Sequence, residues 1–163
     1  MPATRPTRPA RRRRDRLRPG LRLAAALALA LAPAAPFPAA QAQEAGQGAD
    51  LRAAIEGQLE AFLAGDVEAA WGFASPDIQG LFGSPENFGR MVRQGYPMVW
   101  APAEWRFGEL APETTPGGPR LRQSVILRDA SGALWIADYC MMPMEGGWRI
   151  DGVTLRKPES TGV

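Results

Sequence analysis

Four helix-start signatures between Asp50 and Glu86, then a change to strand-like alternation after Tyr96-Pro97, restrict this chain to helices packed on one sheet. Asp50 is placed to cap a helix whose Leu51, Ile55, Leu59, Phe62 and Leu63 share one face. Gly65 ends it, and Asp66 opens a second helix carrying Val67, Ala70, Trp71 and Ala74. Ser75-Pro76-Asp77 and Ser84-Pro85-Glu86 each put proline at the first helical position. Behind them come Ile78, Leu81 and Phe82, then Phe88, Met91 and Val92.

The second half reads as an antiparallel meander. Trp105, Phe107 and Glu109 alternate with Arg106, Gly108 and Leu110, and Thr114 to Pro119 is a Pro/Gly-rich loop. Arg120 to Asp129 and Ala133 to Met142 form a hairpin about Asp129-Ala130-Ser131-Gly132, and Trp148 to Leu155 follows the turn Glu145-Gly146-Gly147. Helices first and three or four antiparallel strands after them predict an α+β domain with the helices on one sheet face. In the Ala133 to Met142 strand one face holds Leu134, Ile136, Asp138, Cys140 and Met142. The other holds Trp135, Ala137, Tyr139 and Met141. Both are largely apolar, as expected where one meets the helices and the other a partner or second sheet.

The N-terminus reads as an export signal. Arg11 to Arg14 give a basic start, Leu21 to Ala32 an apolar run, and Ala40-Gln41-Ala42 an A-x-A exit. The run is shorter than the roughly 20 residues a membrane span needs. The membrane is therefore met only in transit, with cleavage after Ala42 and a periplasmic or secreted product. No Cys lies near the exit to carry a lipid anchor. The expected organisation is a signal over 1–42, a mobile leader over 43–49, one domain over 50–157 and a flexible tail over 158–163.

Cleavage reverses the charge. Nine of the 19 basic residues and one of the 17 acidic residues precede residue 43, leaving 10 basic against 16 acidic, a net of −6. The basic whole-chain balance belongs to the signal, and no nucleic-acid partner is expected. The single Cys140 permits no internal disulfide, and it reads as a buried, inert thiol. The chain has no His, which removes Ser-His and Cys-His nucleophile schemes and the commonest metal ligand. Neither a metal nor a cofactor is expected.

The order of helices, closing on Gly147-Trp148-Arg149-Ile150-Asp151-Gly152-Val153, resembles the cone-shaped nuclear-transport-factor-2-like superfamily, which includes ketosteroid isomerases and SnoaL-type cyclases. More narrowly it resembles a bacterial family, domain of unknown function 4864. Three stretches carry that likeness: Ile55 with Gln58-Leu59, Ala61-Phe62 and Gly65-Asp66; Ala74-Ser75-Pro76 with Ile78-Gln79; and Phe88 with Met91-Val92 and Tyr96. The superfamily implies a curved sheet closed by helices into a cone that often holds a small apolar ligand. The narrower family implies a fold and no activity.

Two functional readings follow. The first is a non-catalytic exported module that binds a small apolar ligand or pairs with another subunit, as a homodimer through the sheet face. Its candidate surface is Tyr96, Met98, Trp100, Trp105, Trp135 and Met142, because Tyr96 to Pro102 is apolar yet broken by two prolines and Met141-Met142-Pro143-Met144 is a soft apolar cluster. Trp71 and Trp148 occupy periodic positions suited to core packing. The second reading is a cofactor-free isomerase or lyase with Asp138 as base and Tyr139 or Tyr96 as proton donor in an apolar pocket. Asp138 sits among apolar residues on its strand face, an unusual place for a charge. A structural ion pair from Asp138 to an arginine such as Arg122 or Arg149 across the sheet is the favoured account of it.

Overall fold

The computed structural model describes residues 39–159. The segment read as an export signal lies outside the described residues through Pro38, and so does the end of the tail, 160–163.

The helical half contains α1 (Ala39–Ala64), α2 (Val67–Gly72), α3 (Pro76–Phe82), α4 (Pro85–Gly95) and a single turn α5 (Pro97–Trp100). Three of the predicted caps form as hydrogen bonds. Asp66 accepts from the Ala69 amide at 2.9 Å, Ser75 from Ile78 at 3.2 Å and Ser84 from Asn87 at 3.3 Å, each worth about 1 kcal/mol. Gly65 and Gly83 end α1 and α3 with positive φ. The expected cap at Asp50 is corrected: α1 already begins at Ala39, and Asp50 is an exposed residue inside it. The residues before Asp50 are rich in Ala and Gln, good helix formers that let the helix run on toward the N-terminus.

The sheet half is an antiparallel meander of four strands in the order β1 (Glu104–Thr115), β2 (Gly118–Arg128), β3 (Leu134–Met144), β4 (Gly147–Arg156). The domain is therefore the α+β architecture read from the pattern, with a curved open sheet. The predicted loop from Thr114 to Pro119 is corrected to a tight turn, since β1 runs to Thr115 and β2 starts at Gly118, whose φ of 104° suits glycine.

Two bulges shape the sheet. The first follows Phe107 in β1, where the register with β2 jumps to Leu110. The buried Gln123 seals it: its Nε2 lies 3.1 Å from the Gly108 and Glu109 carbonyl oxygens, and its Oε1 accepts from Arg52 at 3.1 Å. The second makes Asp151 the extra residue of β4, between Ile150 and Gly152.

The core lies between the helices and the inner sheet face. Leu51, Ile55, Leu59 and Phe62 of α1, with Phe88 and Val92 of α4, meet Val125, Leu127, Ala137, Tyr139, Met141 and Ile150. Each large side chain so buried contributes about 1.5–3 kcal/mol. The face of β3 carrying Trp135, Ala137, Tyr139 and Met141 thus turns to the helices, and Ile136, Asp138, Cys140 and Met142 lie half-buried on the other. Leu63, assigned by periodicity to the buried face of α1, is 48% exposed.

Candidate functional site: an apolar cavity beneath the third helix

Among the described helices, α3 is the one without a buried residue. Ile78, Leu81 and Phe82 nonetheless give it an apolar face. Its start is fixed from two directions. The Ser75 amide donates to the Ile150 carbonyl at 2.8 Å, and the Ser75 hydroxyl donates to Asp151 at 2.7 Å. Asp151 in turn accepts from Arg120 Nε at 2.9 Å, in an ion pair that is 7% exposed on the arginine and 15% on the aspartate. The bulge in β4 thus presents a carboxylate that ties strand β2 to the first turn of α3. A buried pair of this kind is costly to break from one side, about 3–5 kcal/mol.

Held at its start, α3 stands over a cavity of about 260 Å³. Ile78, Leu81 and Phe82 form one wall, Phe88, Met91 and Val92 of α4 a second, and Ile150, Gly152 and Val153 of β4 the floor. Phe62 closes the back, and the aromatic rings interlock around it. Phe88 lies 5.8 Å from Phe62, 5.4 Å from Trp71 and 5.8 Å from Phe82, between ring centroids. The polar side chains in the lining are few: Gln58, whose Nε2 donates to the Ala70 carbonyl at 3.2 Å, and Tyr96. A lining of this composition favours an apolar occupant held by shape and burial.

Of the residues singled out from sequence, Tyr96 lines the cavity and the other members of the proposed surface are dispersed. Met98 is buried in the core with Val99. Trp100 packs 5.3 Å from Phe62 beneath the Arg93 guanidinium, which stands 4.2 Å from its ring. Trp105 pairs with Leu127 across β1 and β2. Trp135 donates its indole N–H to Asp129 at 2.9 Å and carries Lys157 over its ring at 3.3 Å. Met142 lies on the outer face opposite Arg149.

The acid and the phenols do not assemble into a proton-transfer pair. Asp138 points from the outer face, where it accepts from Ser124 and from Arg156 Nε at 2.7 Å. Burial raises its pKa, but the hydrogen bonds from Arg156 and Ser124 and the charges of Arg156 and Arg122 outweigh that, and the carboxyl is held below its ordinary range. That is opposite to a base tuned toward neutrality. The ion-pair partner is Arg156, not Arg122 or Arg149, because Arg156 sits diagonally across from Asp138 on the same face of β4. Tyr139 points the other way into the core, wholly buried, its hydroxyl without a partner and its pKa pushed up by burial. The Cys140 thiol is pushed up to about 11, by burial first and then by Glu113 and Asp151, so it is protonated and a poor nucleophile at neutral pH.

The sequence reading missed the wall formed by α3 and the Ser75–Asp151–Arg120 link. The available signal was a very short helix bearing three large apolar residues with little chain to cover them. Among the described residues there is no cluster of three acidic or Cys side chains suited to a metal ion, and no helix is long and apolar enough to cross a membrane.

No curated protein and no solved structure matches the chain. Residues 44–163 match the family described as domain of unknown function (DUF4864), nearly all of the chain that follows the signal-like segment, and the protein belongs to that family.

Proposed function

We propose that the protein is an exported, non-catalytic binding module that holds a small apolar molecule in the cavity between α3, α4 and β4. The observation that carries this reading is the cavity itself: about 260 Å³, walled by aromatic and aliphatic side chains, with Gln58 and Tyr96 as isolated polar points. Its volume is just below the usual range for ligand pockets, roughly 300–1,000 Å³, which favours a small occupant. The order of helices followed by a meander agrees with a cone of the nuclear-transport-factor-2-like kind. Export is supported by the basic, apolar and A-x-A sequence of the first 42 residues and by a family match that begins at residue 44. Cleavage after Ala42 removes four residues of α1 and keeps its core residues Leu51, Ile55, Leu59 and Phe62.

Native mass spectrometry of the protein expressed from its full-length gene tests this reading. The expected species begins at Gln43 and carries a small-molecule adduct that dissociates on activation. An uncleaved chain removes export. A clean dimer without adduct moves the function to the outer sheet face, where Ile126, Ile136 and Met142 are half-buried.

A further inference from the structure

The cavity adjoins a groove on the outside of α3 and α4. Leu81, Phe82 and Met91 line both, so the two spaces share a wall. Leu81 is 73% exposed, the most exposed of the large apolar side chains among the described residues. Beyond these three the groove is polar: Asn87, Arg90, Gln94 and the backbone of Gly95. Arg90 is the only charged side chain in either lining.

Arg90 is in no close ion pair, although Glu86, one turn before it on α4, feels its charge and is held below the ordinary carboxylate range, by the Ser84 hydroxyl first and by Arg90 last. Its neighbour on the helix, Arg93, is stacked over Trp100. The ion pairs among the described residues are Arg120–Asp151, Arg128–Glu104 and Arg156–Asp138, and Arg90 belongs to none of them. It is exposed, and its guanidinium donates to Asn87 Oδ1 at 3.1 Å, one of its five N–H donors.

We propose that the occupant is a small anionic amphiphile, its apolar tail in the cavity and its carboxylate head paired with Arg90 in the groove. This rests on reading the cavity as a ligand site. Three features converge on that chemistry. The cavity lining is apolar apart from Gln58 and Tyr96, and the charged polar end lies in the adjoining groove. The cavity has room for a tail of roughly eight methylene-sized groups, at about 30 Å³ each as for a water molecule. The one charged side chain in the groove beyond the shared wall, Arg90, is positive, and guanidinium presents paired donors that match a carboxylate. The domain is net negative from residue 43 onward, but that field is screened beyond about 8 Å at physiological salt, so the local cation decides the head group.

The test compares octanoate, 1-octanol and octylammonium, titrated into the protein as purified from full-length expression and followed by its methionine methyl resonances. Met91 reports the shared wall. The expected result is that octanoate binds best and that Arg90→Gln weakens it roughly three- to fivefold while leaving octanol unchanged. Equal binding of octanoate and octanol, indifferent to Arg90→Gln, overturns the head-group assignment and leaves the apolar cavity standing. Preference for octylammonium overturns it as well. If none of the three shifts Met91, the ligand-site reading itself falls.

Discussion

Tyr139 is wholly buried, yet its hydroxyl has no hydrogen-bond partner among the described residues. An unsatisfied buried donor costs about 1–3 kcal/mol relative to its hydrated state. The ring itself packs in the core, so Tyr139→Phe keeps the shape and removes the cost. The expected outcome is a higher urea midpoint with unchanged slope, a gain of about 1 kcal/mol. A lower midpoint would show that water or a ligand satisfies the hydroxyl. At this scale the sequence was legible in part. It marked Asp138 as an odd charge on an apolar strand, and the choice between base and ion pair turned on a partner that no local pattern names. The link from Ser75 to Asp151 was invisible for a firmer reason. It joins residues 76 apart in the chain, and Asp151 reaches its partners only because it is the bulged residue of β4.

Among the elements, the helices were legible wherever a cap and a proline coincided, as at Ser75-Pro76 and Ser84-Pro85. The N-terminal end of α1 was not, since Asp50 has the chemistry of a cap but the residues before it also favour helix. Strand phase was legible up to the first bulge: past Gly108 it is Leu110, and no longer Glu109, that packs toward the core. Helix packing leaves a second mark in the glycines. At Gly89 of α4 an added Cβ would lie 2.5 Å from Val67 of α2, whose branched side chain has little freedom to yield. At Gly80 of α3 the same Cβ meets nothing within 4 Å. Opposite outcomes are therefore expected from one substitution. Gly80→Ala raises thermal stability by about 0.5–1 kcal/mol through helix propensity, and Gly89→Ala lowers it by about 1–2 kcal/mol through overpacking. Differential scanning calorimetry of the two variants checks this, and a gain at Gly89 would mean that α2 is free to shift.

For the whole molecule the distribution of titrating groups sets the shape of stability against pH. With no His in the chain, no side chain with an ordinary pKa titrates between about pH 5 and 8. The perturbed groups lie outside that interval on both sides. The hydroxyl of Ser131 and the indole of Trp135 hold the Asp129 carboxyl down at about 2, against an ordinary 3.8, and Asp138 is also held low. For a carboxyl depressed in the folded state, the unfolded chain binds protons first on acidification. Its contribution is thus full above about pH 4 and lost as the pH falls toward 2. The alkaline side has the opposite origin. Burial raises the Cys140 thiol from 9.0 to about 11 and raises Tyr139 as well, so the unfolded chain releases protons that the folded one keeps. Stability then falls as pH rises through 9 toward 11. The expected curve is a plateau across neutrality with a shoulder at each end. Urea midpoints measured in steps from pH 3 to 10 test it. A slope within the plateau would require a group that titrates near neutrality, which neither the depressed carboxyls of Asp129 and Asp138 nor the raised Cys140 and Tyr139 supply, and would overturn this account of the pH dependence.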